Sequence, residues 1–302
     1  MKKIFIIGGT TYDQVVQLAA FPQPLPHTIH KAQMQEGIGS TGAGKAIPLT
    51  QLGVPTQLYS VVGNDVYGEY ISNILKELGV HYFLDKDPAG TERHINLMEP
   101  NGGRISIFAT QSSEILPLNF NDIQKAIKQA ELIVINIIAY CKQIAPLLKD
   151  IGKPIWTDLH DYDGTNTYHQ PFIDVADYIH LSSDLLPNYR ARMQAFIAAG
   201  KKMVICTHGK LGATLLTANG EWLEQPAFMK LPQVDTNGAG DHFFAGFLFG
   251  WLKQYSHQKC LQLGALAAAK SVSSAQLFAA DFNENWLETN WKTYFFNKKD
   301  SF

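Results

Sequence analysis

Asp241 stands at the end of a run of small residues, Asp235-Thr236-Asn237-Gly238-Ala239-Gly240-Asp241. Residues 242–252 after it are apolar on every side and contain no Asp, Glu, Lys or Arg. A helix that is apolar all round is a buried helix. Asp241 is therefore expected in the first turn of a helix that enters the core, behind a glycine-rich turn. The first N–H groups of a helix lack intrahelical partners and carry the positive end of its dipole. Gly238 and Gly240 have no Cβ, so a phosphoryl group can approach the backbone there. A carboxylate beside such a nest is placed to take a proton from a nucleophilic hydroxyl. So short a motif also fits a plain helix start after a turn.

Other residues could share this chemistry. Asp13 follows Ile4–Ile7, a continuous apolar run closed by Gly8 and Gly9. Such a run reads as a buried parallel strand, and open α/β sheets bind ligands at the carboxyl ends of their strands. Residues 37–46, Gly-Ile-Gly-Ser-Thr-Gly-Ala-Gly-Lys-Ala, lead into a helix that Ser40 or Thr41 would cap and Gly53 would end. The string looks like a phosphate-binding P-loop, but Ala46 stands where that loop needs Ser or Thr. Pro48 should distort the helix start at Gly44, one turn back. Lys45 reads either as a solvated first-turn lysine or as a contact for an anionic group of the substrate.

A third group is acidic: Asp158, Asp161 and Asp163 crowd around His160 at the end of another apolar run, and Asp184 follows the next. The spacing fits no zinc pattern. Magnesium prefers oxygen ligands, so Asp158, Asp161 and Asp184 are the candidates for it.

The elements that must position these groups follow from the apolar runs. Runs at 57–62, 132–138, 154–158, 178–182 and 202–207 alternate with helical stretches. That alternation predicts a doubly wound, mostly parallel sheet flanked by helices. Residues 14–38 lack helical periodicity, and Pro22, Pro24 and Pro26 break them. Short strands are expected at 15–18 and 27–35. Two more are expected at 91–99 and 104–110, joined by a hairpin turn at Glu99-Pro100-Asn101-Gly102-Gly103. A last helix is expected over 261–274.

The chain has 302 residues, with 46 % hydrophobic and 17 % charged. This suits one large α/β domain with a sizeable core. The formal charge of −2 gives no case for nucleic acid or an anionic membrane. Cys141, Cys206 and Cys260 lie far apart and read as buried free thiols of a reducing compartment. The four-residue run Ile4–Ile7 is too short for a signal peptide. No run approaches the ~18 residues of a membrane span. A soluble, cytoplasmic protein is expected.

The string Asp-Thr-Asn-Gly-Ala-Gly-Asp, with a buried aromatic helix behind it, resembles the C-terminal signature of the ribokinase-like (PfkB) sugar and nucleoside kinases. The resemblance implies a ribokinase-like fold over residues 1–302 as one kinase domain. It also implies a small β-sheet lid, here approximately 14–38 and 91–110. By the same resemblance Asp241 is the catalytic base, and Gly238, Ala239 and Gly240 form the anion hole. Asp13 holds a substrate hydroxyl. Gly39, Ser40, Gly42, Gly44 and Lys45 belong to a second signature that binds the acceptor. The segment from Thr207 through Gly209 to Gly212, Thr-x-Gly-x-x-Gly, resembles the nucleotide segment and would hold ATP together with Gly238 and Gly240. The family usually has Asn where this chain has Gly44. It often has Asn-x-x-Glu, organising Mg²⁺, where this chain has Ser182-Ser183-Asp184-Leu185. The implied activity is ATP-dependent phosphorylation of a sugar hydroxyl, with Mg²⁺ and with a homodimer through the lid. A nucleoside kinase, or a degenerate kinase acting as a metabolite sensor, are the alternatives.

Overall fold

The computed structural model describes residues 1–100, 103–274 and 278–296. Along the chain come β1 (Ile4–Ile7), β2 (Thr11–Gln17), β3 (Gln33–Gly39), α1 (Thr41–Gln51), β4 (Thr56–Gly63), α2 (Val66–Glu77) and β5 (His81–Asp87). There follow β6 (Arg93–Met98), β7 (Arg104–Thr110), α3 (Phe120–Gln129), β8 (Leu132–Asn136), β9 (Ile155–Asp158), α4 (Gln170–Val175), β10 (Tyr178–Ser182) and α5 (Tyr189–Ala198). The last are β11 (Met203–Thr207), β12 (Ala213–Thr217), β13 (Trp222–Gln225), α6 (Ala239–Leu252), α7 (His257–Val272) and α8 (Glu284–Trp291).

Nine strands make one sheet, in the order β13-β12-β11-β10-β9-β8-β1-β4-β5. It is parallel from β5 to β11, with β12 and β13 added antiparallel at one edge. The strand β1 shows why the sheet is covered on both sides. Ile4 and Ile6 enter a core built with α1, α2, α6 and α7, whereas Phe5 and Ile7 enter one built with α3, α4 and α5. Side chains alternate along a strand, so a strand buried on both faces must be apolar throughout. Each such side chain contributes about 1.5–3 kcal/mol on full burial. The doubly wound, mostly parallel sheet anticipated from the alternating runs is the fold observed.

A separate four-stranded sheet has the order β3-β2-β6-β7. Its central pair, β2 and β6, is parallel, and the outer pairs are antiparallel. Three local expectations need correction. Asp13 is not on a loop but is the third residue of β2, which is separated from β1 by three residues. The strand expected at 27–35 begins only at Gln33, because residues 18–32, which hold the three prolines, carry no helix or strand. Ser40 occupies the capping position of α1 but makes no side-chain cap, and α1 runs unbroken through Pro48. The irregularity is confined to the entry, where Ser40 has a φ of 67°. Asn101 and Gly102, two of the expected hairpin-turn residues, lie outside the described residues.

Candidate active site

α6 carries its apolar sequence into the core, with residues from His242 to Gly250 all buried. Asp241 therefore sits where the buried helix meets the outside, with its side chain 14 % exposed. Gly238 precedes the helix in the left-handed region, with φ 73°, which glycine adopts without strain. Its carbonyl accepts from both His242 N and His242 Nδ1, each at 3.0 Å. Burial pushes the His242 imidazole down in pKa, so the ring is neutral with its proton on Nδ1. Asn237 N donates to Asp235 Oδ1 at 2.8 Å and closes the preceding turn. A Cβ on Gly240 would meet nothing within 4 Å, so the helix start opens on free space. An anion has room there against the first-turn amides, of which Ala239 N makes only a long bond to Thr236 O, at 3.4 Å.

Behind Asp241 lies a buried ionic group. Lys45, in α1, is fully buried. Its Nζ donates to Asp241 Oδ1 at 2.5 Å and lies 2.9 Å from Asp158 Oδ2. Asp158 ends β9, and beside it in register is His180 of β10, whose Nδ1 stands 3.0 Å from Asp158 Oδ1. Burial alone would raise the Asp158 pKa, but His160, Lys45 and His180 hold it well below the usual carboxylate range. Burial would likewise lower Lys45, but Asp158 and Asp241 outweigh it and keep the ammonium charged. Of the two readings of Lys45, the solvated first-turn lysine is corrected here. Its ammonium is turned inward, because a charge in an apolar core is held only by counter-charges. Gly44 is part of the same arrangement: a Cβ there would stand 2.3 Å from Asp241 Oδ2.

A second polar group occupies the small sheet. Asp13 is buried; its Oδ1 accepts from Thr11 Oγ1 at 2.5 Å and its Oδ2 from Asn96 Nδ2 at 3.1 Å. Burial pushes the Asp13 carboxyl up, against the pull of Thr11, His94 and Asn96. His94 Nε2 pairs with Glu92 Oε1 at 2.8 Å and Ser106 Oγ donates to Asn96 Oδ1 at 2.7 Å. A Cβ on Gly39 would clash with the Asp13 carboxylate. Gly39 of β3 and Asp13 of β2 are thus brought together. Thr11, Glu92, His94, Asn96 and Ser106 were not singled out in the sequence. The period-two spacing of His94 and Asn96, with Glu92 just before β6, was a usable signal, since alternate residues share one face of a strand.

The 207–212 segment is a hairpin turn between antiparallel β11 and β12. Gly209 is exposed with a φ of 53° and open space beside it. Gly212 instead lies against the backbone of β13, where a Cβ would stand 2.0 Å from Gln225 O. Thr207 Oγ1 donates to Leu181 O at 3.3 Å. Lys210, Asp235 and Thr236 line one crevice with Gln17, Met98 and Glu99 of the small sheet and its connections. Arg104 of β7 donates to Asn237 Oδ1 at 3.1 Å. The small sheet thus reaches across to the loop that precedes the glycine nest.

The acidic candidates for a metal are dispersed. Asp158 is engaged by Lys45 and His180, Asp161 is exposed, and exposed Asp184 lies near His208 and Cys206. Asp163 Oδ1 accepts from Thr165 N and Asn166 N and closes a local turn. Among the described residues no group of three or more His, Cys, Asp or Glu gathers as a metal site. These residues do not fit a prebuilt magnesium site.

The class of protein is set by a family model, that of pfkB family carbohydrate kinases, which matches residues 1–280. The chain belongs to that family and is a sugar or nucleoside kinase that uses ATP. The acarbose 7(IV)-phosphotransferase of Actinoplanes sp. is 28 % identical over 270 residues, covering 88 % of this chain and 90 % of that protein. The ribokinase of Lactococcus lactis is 25 % identical over 288 residues, covering 90 % and 91 % respectively. Among solved structures, the microbiome-derived acarbose kinase Mak1 matches with a TM-score of 0.86 at 24 % identity, over 95 % of this chain and 98 % of that one. No helix among the described residues is long and apolar enough to cross a membrane.

Proposed function

We propose that the protein transfers the γ-phosphoryl group of ATP to a hydroxyl of an acarbose-like sugar larger than a pentose, with Asp241 as general base. The observation that carries this reading is the joint state of positions 44 and 241. Gly44 has no side chain to meet a sugar hydroxyl, and the Asp241 carboxylate fills the space a side chain would take. A hydroxyl left without its contact costs about 1–3 kcal/mol. A small sugar such as ribose has few other contacts to offset that loss. A larger sugar has more hydroxyls for Asp13, Asn96, Ser106 and His94 to meet. The likeness to the Actinoplanes acarbose 7(IV)-phosphotransferase supports the same class of acceptor.

The step balances simply. The acceptor O–H bond breaks as its oxygen bonds to the γ-phosphorus. The proton goes to Asp241, and ADP leaves with the electron pair of the broken P–O bond. Amides of Gly238, Ala239 and Gly240 stabilise charge on the transferring group, which is the main catalytic contribution in phosphoryl transfer. Magnesium is proposed to arrive on the ATP phosphates, since among the described residues the acidic side chains offer no cluster for it. The small sheet acts as a lid that excludes water. Its outer strand exposes Ile105 and Ile107, which supports a homodimer through the lid. Three buried free thiols support a reducing, cytoplasmic setting.

Two measurements test this. With ATP and Mg²⁺, acarbose is expected to exceed ribose, fructose and inosine in kcat/KM by at least about tenfold, the lower end of the lost contact. Equal or better use of ribose or inosine would overturn the acceptor class. For the nucleotide, Gly209→Val is expected to weaken ATP binding by about tenfold, or roughly 1.4 kcal/mol. The added side chain would fill the open space beside the turn. Unchanged affinity by calorimetry on the folded variant would remove Gly209 from the nucleotide site.

A further inference from the structure

We propose that Lys45 is a positioning residue for Asp241: its ammonium, anchored on Asp158, fixes the carboxylate through Oδ1 and leaves Oδ2 to meet the acceptor hydroxyl. The proposal rests on the reading of Asp241 as the base.

The position argues against a merely structural lysine. The neighbours of Lys45 on α1 are apolar and buried, among them Ala43, Ala46, Ile47 and Leu49, and its Nζ lies 5.2 Å from the Phe244 ring centre. An apolar side chain of similar volume there would avoid the desolvation of an ammonium, and buried ion pairs are often replaced that way without loss of stability. Instead, four elements converge on this charge: α1 supplies Lys45, β9 Asp158, β10 His180 and α6 Asp241. Of these, Asp241 alone lies at the helix start that opens on free space. Asp158 and His180 are buried in the sheet, each 3 % exposed. They form a rigid seat, and the lysine transmits that seat to the one partially exposed carboxylate. Phosphoryl transfer depends on positioning, and a displacement of about 1 Å can cost 10²-fold in rate.

Position 44 completes the device. The Lys45 hold turns Asp241 Oδ2 towards the Gly44 backbone, into the space a side chain there would fill. The glycine that departs from the family pattern and the lysine next to it therefore act on one carboxylate, one by leaving room and the other by holding it.

The test separates holding Asp241 from neutralising Asp158. Lys45→Met leaves Asp158 buried without its ammonium and is expected to lower Tm. Lys45→Met/Asp158→Asn removes both charges and is expected to restore Tm. If Lys45 positions Asp241, the double variant still loses at least about tenfold in kcat, while KM for ATP stays at the wild-type value. Rates are read with acarbose, ribose and inosine as acceptors, and with none as ATP hydrolysis by water. Its crystal structure is expected to show the Asp241 carboxylate away from its wild-type position. Recovery of Tm and kcat together, or an unmoved carboxylate, overturns the proposal. Asp158→Asn alone keeps an oxygen for the Lys45 ammonium and is expected to lose less kcat than Lys45→Met; a loss as deep as that of Lys45→Met would transfer the role to Asp158. Should Asp241→Asn retain full kcat, the base reading fails, and the crystal position of the carboxylate still decides whether Lys45 holds it.

Discussion

Asp241→Asn is expected to fold and bind ATP as the wild type does, and to lose at least about 10²-fold in kcat, the lower range for loss of a general base. The fold should survive because the substitution is isosteric and an amide oxygen can still accept from Lys45. Asp158 remains 2.9 Å from the same ammonium, so no buried cation is stranded. The ATP side should survive because the amides of Gly238, Ala239 and Gly240 are backbone groups. What disappears, on the proposed reading, is the carboxylate that would take the hydroxyl proton. Steady-state kinetics with calorimetry of ATP binding checks both halves. A near-normal kcat would remove Asp241 from the base role and leave the glycine nest as an anion site only.

Restoring the usual family residue should be nearly as harmful. Gly44→Asn is expected to lower kcat by about 10²-fold, the cost of a displacement of about 1 Å in a catalytic group. It is also expected to lower stability by about 1–3 kcal/mol, as overpacking of a filled interior does. The reason is steric. The new Cβ would lie 2.3 Å from Asp241 Oδ2 and 2.7 Å from its Cγ. The carboxylate cannot swing aside freely, because Lys45 holds its other oxygen at 2.5 Å. Gly44→Ala should show most of the same loss, since the clash begins at Cβ. If Gly44→Asn instead gained activity towards ribose, the glycine would be a simple loss of a hydroxyl contact and its coupling to Asp241 would be wrong.

Much of the frame was legible because it is local. Ile4–Ile7 and Tyr178–Ser182 are short apolar runs, and each forms a strand with those bounds. The helix after Gly240 is apolar on all sides, and that alone put Asp241 in its first turn. Errors arose where a local signal had two outcomes. Asp13 looked like a loop residue because two glycines precede it, yet pairing with β3 and β6 draws it into a strand. Ser40 has the chemistry of a cap, but its backbone conformation leaves the side chain without that bond.

The sequence by itself determined the alternation of the central strands with helices, the glycine-rich turn and the acid behind it, because backbone preference and apolar periodicity act between near neighbours. Only the tertiary structure decided what the charged side chains meet. Lys45 bonds to a carboxylate 196 positions away, and Asp158 stands against that lysine and His180, with no cluster of three or more metal-binding side chains among the described residues. The physical reason is burial. In water a lysine and an aspartate are each stable alone, and their spacing in the chain says nothing of a partner. Once α1 packs on α6 over the ends of β9 and β10, each charge loses its solvent and must take the counter-charge the packing brings to it.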